Sequence, residues 1–362
     1  MEGQAVDSNV QGTVSPRIEW VDLFKAICIL SMVIGHAWGG MNDIIYQFHM
    51  AAFFFISGFT SGIWKKDTES LFISKTWTLI IPILVMVALL SPLVHILDGV
   101  TPVDSIGLLV KDYRDYLIWG ATVNLLGTVW FLTALFSVFI IQRLIYKVTE
   151  EHGGLFAYFA VTVALFIVGY YLSDYNYRTP HFLDVALIAQ LYFGAGVMLR
   201  QGGWQPKVLS IRVSIIIAAI CGLIMYLLTL AEFQVTMDMV SRTYPSLLVM
   251  CTVPFIGFVT VYAVSCILTA VPGFLKTVML TLGRETLGIM FLHFACFKIA
   301  TLLFVVLGIA EFSDLESFLL PSFASGNLWI TVAYIAISVF CSVVIWKSLR
   351  DIPVVGKLLG RT

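Results

Sequence analysis

Charge is what this chain has least of. Only 12% of its residues are Asp, Glu, Lys or Arg, against about 25% in a soluble domain, and the mean hydropathy is +0.95. A water-soluble globule is thereby excluded. The formal net charge is −1, which leaves no basic surplus to hold a polyanion, so nucleic acid is not an expected partner. Cysteine is sparse too: Cys28, Cys221, Cys251, Cys266, Cys296 and Cys341 all sit in apolar stretches, and no two form a C-x-x-C pair. They read as small buried hydrophobes, neither a disulfide framework nor a zinc site, and no metal is expected. A fixed-period repeat and low-complexity tracts are missing. The first sixteen residues lack the basic-then-apolar layout of a secretory signal, and residues 1–16 are expected to be a disordered cytoplasmic tail.

What is present is hydrophobic length. A membrane-crossing helix needs about 20 mostly apolar residues, and ten segments qualify, near 19–38, 47–64, 77–97, 124–146, 155–172, 183–199, 208–230, 245–270, 283–308 and 327–347. The expected fold is all-α, a polytopic membrane protein with about ten transmembrane helices over 17–350 and a cytoplasmic tail over 351–362. Orientation follows from Lys and Arg, which favour the cytoplasmic side. One set of connections holds Arg17; Lys65, Lys66 and Lys75; Arg143 and Lys147; Arg200, Lys207 and Arg212; Lys276 and Arg284; and Lys347, Arg350, Lys357 and Arg361. The other holds only Lys111, Arg114, Arg178 and Arg242. Both termini are therefore expected inside. The longest outer connection, 98–123, is amphipathic and reads as a short surface helix.

Against this apolar background the titratable residues of the first span stand out. Lys25 and His36 are eleven positions apart, three turns plus about 20°, so they share a helix face, and Asp22 lies about 40° to the other side of that stripe. Ionisable residues inside a membrane usually point at a protein interior, a pathway or a site. An Asp22–Lys25 ion pair one turn apart and a structural histidine are the plain alternative. An imidazole can take a proton from a hydroxyl at neutral pH, and a nearby lysine can bind an anion. His49 opens the second span and His293 lies two and a half turns into the ninth; each is either structural or functional. Ser57-Gly58 reads as a helix-packing notch, and Arg284 with Glu285 as a local ion pair. Lys65, Lys66 and Lys75 are either the ordinary inner-face charge or a cradle for the phosphates of a nucleotide-bearing donor.

Six segments together resemble the acyltransferase-3 family of integral membrane acyltransferases, and more narrowly its fucose 4-O-acetylase-like branch. They are Lys25 followed after ten residues by His36; Phe48-His49-Met50 through Phe54-Phe55-Ile56-Ser57-Gly58-Phe59; the basic loop with Pro82; Trp130-Phe131-Leu132; Leu183-Asp184-Val185-Ala186-Leu187 through Phe193-Gly194-Ala195-Gly196; and Leu282-Gly283-Arg284-Glu285-Thr286 through Leu292-His293. They occur in the family's order over about 17–347. The commoner family signature carries Arg where this chain has Lys25, whereas the branch is similar in using Lys. Lysine offers a point charge without a bidentate fork.

The resemblance implies transfer of an acetyl group from cytoplasmic acetyl-CoA to a hydroxyl of a cell-envelope carbohydrate such as capsule, O-antigen or exopolysaccharide, by a multi-pass enzyme of the bacterial cytoplasmic membrane. The donor's phosphates would meet Arg17, Lys65, Lys66 and Lys75. His36 would be general base or transient acyl carrier, with Asp22, Lys25, His49 and His293 as the other catalytic candidates. Expected partners are the acyl-CoA donor, the carbohydrate acceptor and the lipid bilayer, with oligomer formation left open. A secondary transporter or flippase for a polar or sugar substrate would carry the same intramembrane charges and is the competing reading.

Overall fold

Long apolar runs become helices here, and short polar side chains close their ends. The computed structural model describes residues 17–97, 99–175, 178–204, 207–317, 324 and 327–360; the expected tail over 1–16 lies outside them. The principal helices are α1 (Glu19–Ala37), α2 (Asn42–Ile45), α3 (His49–Thr60), α4 (Thr68–Lys75), α5 (Ile81–Leu97), α6 (Pro102–Trp119), α7 (Trp130–Glu151), α8 (Gly154–Asp174) and α9 (Leu183–Gln201). After them come α10 (Ile211–Thr229), α11 (Leu247–Ala270), α12 (Phe274–Arg284), α13 (Thr286–Val306), α14 (Leu328–Asp351) and the short α15 (Pro353–Leu358). No strand occurs among the described residues. Asp67 caps α4 by accepting from Ser70 N at 2.7 Å, and Asn327 caps α14 by accepting from Trp329 N at 3.0 Å. Each side chain satisfies one of the N–H groups that a helix start leaves without a partner.

Among the described residues nine helices are long and apolar enough to cross a membrane, or ten if the bent pair Gly39–Ile45 and His49–Lys65 counts as one span. The chain is an all-α polytopic membrane protein. Three segments differ in detail from expectation. The second span starts earlier than 47–64: Gly39–Ile45 precedes the expected segment and meets it, as His49–Lys65, at a bend of 48° where Phe48 leaves helical geometry (φ −145°, ψ −29°). The third is longer, running over Thr68–Ile96. The ninth begins with a break, since α12 ends at Arg284 and α13 starts at Thr286. The expected surface helix in 98–123 is α6, opened by Thr101 and Pro102 and closed by Gly120 in the left-handed region, as caps of this kind do.

The helix with the charged stripe is the axis of the bundle. α1 packs against α3, α11, α12, α13 and α14, whereas α10 lies at the rim, packed on α11, with most of its residues exposed or half-buried. The Ser57-Gly58 notch works as expected, and it has a counterpart. A Cβ on Gly58 would run into the Phe193 carbonyl of α9, and one on Gly196 into the Phe55 carbonyl of α3. With little hydrophobic drive between helices inside lipid, such close approach and interhelical hydrogen bonds hold a bundle together. Gln142 supplies some of the latter, donating to Gln190 Oε1 at 2.7 Å and accepting from Tyr158.

Candidate active site

Each end of α1 carries a polar site. At its N-terminal end a cavity of about 320 Å³ is bordered by Arg17, Asp22, Lys25, Lys65, Arg200 and Arg284. Five cations face one carboxylate. Asp22 does not pair with Lys25: its Oδ2 lies 3.4 Å from Arg284 Nε. Gly283 explains the choice, because it lets α12 lie directly on α1, where a Cβ would strike the Asp22 carbonyl, and so delivers the next residue to the carboxylate. The expected Arg284–Glu285 pair is likewise absent. Adjacent helical residues diverge by about 100°, and Glu285, in the break between α12 and α13, meets Arg350 Nη1 at 3.0 Å. Lys25, Lys65 and Arg200 form no salt bridge among the described residues. Lys66 and Lys75 are not in the cavity wall; Lys66 donates to Ser74 Oγ at 3.1 Å, and the Lys75 ammonium sits 3.7 Å above the Phe139 ring.

The three candidate histidines converge at the other end. His36 and His49 line a pocket of about 40 Å³ with Tyr46, Trp130 and Asp238, and His293 stacks on His36 with ring centroids 5.5 Å apart and planes 21° from parallel. That volume holds roughly three waters, at 10–15 Å³ each, the scale of a hydroxyl or a two-carbon acyl group. His49 Nδ1 lies 2.9 Å from the Ile45 carbonyl oxygen, and His293 Nδ1 lies 3.0 Å from that of Ile289. A carbonyl oxygen only accepts, so Nδ1 donates in both rings and Nε2 carries the lone pair. His293 Nε2 is buried with no partner among the described residues, a state that calls for explanation in a native fold. His36 makes no hydrogen bond among them. Among the described residues no group of three or more His, Cys, Asp or Glu is placed to hold a metal ion.

The connection between α10 and α11 covers this pocket. Met237 N donates to the Tyr46 carbonyl at 2.9 Å, and Asp238 and Thr243 exchange backbone hydrogen bonds of 2.9 Å. Arg242, at φ 59°, anchors the far side by donating from Nε to Asp184 Oδ2 at 2.8 Å, and Asp184 also accepts from Thr179 Oγ1 at 2.6 Å. Burial, with Asp184 beside it, pushes the Tyr244 hydroxyl above the ordinary tyrosine range, so it stays neutral. Asp238 and Tyr46 escaped the sequence reading because an acid in a connecting loop and a tyrosine between spans carry no spacing signal. Arg200 was legible only as charge on the expected cytoplasmic side, and Arg284 as that or as a local partner of Glu285.

Lys25 and His36 sit on one unbroken helix, about 16 Å apart along its axis at 1.5 Å per residue. The two sites are thus separate stations on a common rod. A polytopic helical bundle with a cationic cavity at one end of its central helix and an imidazole cluster at the other defines the class: an integral membrane protein with two polar stations among its helices. A family model described as an acyltransferase domain, that of the acyltransferase-3 family, matches residues 18–347. The chain belongs to that family and is a membrane acyltransferase. Neither curated proteins nor solved structures give a match.

Proposed function

We propose that the protein is an O-acetyltransferase of the fucose 4-O-acetylase-like kind in the bacterial cytoplasmic membrane, both termini on the cytoplasmic side, moving acetyl from cytoplasmic acetyl-CoA to a hydroxyl of a cell-envelope carbohydrate. The observation that carries this reading is the pairing of an unneutralised cationic cavity with a three-histidine pocket on the same helix. Phosphates of the donor suit the first: Arg17, Lys25 and Lys65 offer charge-assisted hydrogen bonds, and Arg200, Lys66 and Lys75 add positive potential nearby. The second suits acyl chemistry, with His36 as the reacting base and His49 and His293 presenting Nε2 lone pairs around it.

In the direct route His36 takes the proton of the acceptor hydroxyl as its oxygen attacks the thioester carbonyl; the C–S bond breaks, and the imidazolium returns the proton to the thiolate, giving the ester and free CoA. In the two-step route the imidazole's lone-pair nitrogen attacks the thioester carbonyl, the C–S bond breaks and the ring's N–H proton passes to the thiolate; the sugar hydroxyl then attacks the acylimidazole, its oxygen taking the acyl group and its proton returning to the ring. The pocket's size favours acetyl over longer chains. The 16 Å between Lys25 and His36 calls for a donor whose reactive end is carried on a long arm, as a pantetheine-linked acyl group is.

Purified protein in proteoliposomes, given acetyl-CoA labelled in the acetyl group, tests this directly. Release of free CoA thiol together with label appearing in envelope polysaccharide supports it. Movement of sugar across the membrane without CoA release would assign the chain to transport instead.

A further inference from the structure

The bundle holds a third chamber, apart from the cationic cavity and the histidine pocket. It measures about 310 Å³ and lies between α1, α3, α9 and α11. Eight of its eleven wall residues are aromatic, among them Trp20, Phe55, Phe59, Phe258 and Tyr262. A nucleobase or sugar placed there would lose water from its polar edges and find almost no partner, which is costly for each group left unpaired. A hydrocarbon chain leaves nothing unpaired. Access is sideways: Val259 and Trp204, both in the wall, are each 45% exposed on the outer surface of the bundle, and no residue of α10 closes the gap.

Two cations mark one end of this chamber. The Arg200 guanidinium lies 5.3 Å from the centre of the Phe59 ring and has no salt bridge among the described residues. The Lys207 backbone is tied to the chamber by its carbonyl, which accepts from Tyr262 Oη at 2.7 Å, while its side chain is exposed. We propose that the chamber is a site for an anionic phospholipid of the surrounding leaflet, one acyl chain lodged among the aromatic side chains and the headgroup phosphate held by Arg200 and Lys207. Because the chain leaves one hydrocarbon medium for another, apolar transfer contributes little. Selectivity comes from the headgroup, as for basic pockets between membrane helices.

The test is native mass spectrometry of the purified protein in a neutral detergent with added phosphatidylglycerol or phosphatidylcholine. The wild type is expected to retain one phosphatidylglycerol with at least tenfold preference. Val259→Trp, which fills the chamber from its exposed wall, is expected to lose that lipid. Arg200→Gln with Lys207→Gln leaves the chamber open and is expected to erase the preference. The double variant removes only partly exposed charge, so it decides the matter even if Val259→Trp does not fold. Equal retention of the two lipids by the wild type, or an undiminished preference in the double variant, would overturn the assignment.

Discussion

His36 and His293 lie face to face, ring centroids 5.5 Å apart, joining the central helix to the second half of the bundle at a point where neither chain segment is near the other in sequence. His293 is wholly buried and fixed through Nδ1 by two carbonyls of its own helix. Its orientation is therefore set before any substrate arrives, the kind of preorganisation that catalysis exploits. Replacing it by Phe keeps an aromatic face against His36 but removes the lone pair. We expect His293→Phe to lower the rate of acetyl transfer at least tenfold with little change in thermal midpoint, measured by label transfer and by intrinsic-fluorescence melting on the same preparation.

The cationic cavity predicts a different kinetic signature. Lys65→Met and Lys25→Met each remove one contact made equally in ground and transition state, so KM for acetyl-CoA is expected to rise about tenfold, or about 1.4 kcal/mol. The turnover number should change far less. Steady-state CoA release over a range of acetyl-CoA concentrations checks this.

Arg242 and Asp184 form a buried pair that pins the loop above the histidines. Removing one partner of such a pair leaves a buried charge behind and costs about 3–5 kcal/mol. We expect Arg242→Ala to open the 230–246 connection to limited proteolysis in the folded protein and to reduce transfer, while acetyl-CoA binding at the opposite end of α1 persists.

Much of this arrangement was legible in the sequence. Span positions followed from apolar length, and the shared face of Lys25 and His36 followed from helical periodicity, because both properties are local. His49 and His293 could be singled out, being titratable groups in an apolar setting. Nothing in the spacing shows that they would meet His36, since that depends on how α3 and α13 pack. The partner of Asp22 was out of reach for the same reason: Lys25, the partner in the plain alternative, is one turn away, whereas Arg284 is 262 residues distant and reaches Asp22 only because Gly283 admits the close contact. Asp238 had no signal at all, its place over the pocket being decided by the Arg242 anchor.

The tight crossing of α3 and α9 gives a stability prediction. Gly196→Leu would drive a side chain into the Phe55 carbonyl, which belongs to backbone and cannot rotate away. Overpacking of this sort costs about 1–3 kcal/mol. The thermal midpoint in detergent is expected to fall by several degrees, and Gly222→Leu, at a position with open space around it, should leave it unchanged.

The account depends most on His36, and one comparison tests it: acetyl transfer from labelled acetyl-CoA to envelope polysaccharide by His36→Gln and wild-type protein, matched for amount and thermal midpoint in proteoliposomes. Loss of a general base or acyl carrier lowers the rate by about 10²–10⁴-fold, so the variant is expected to show at most about 1% of wild-type transfer. A variant that folds normally and keeps half or more of the activity would contradict it.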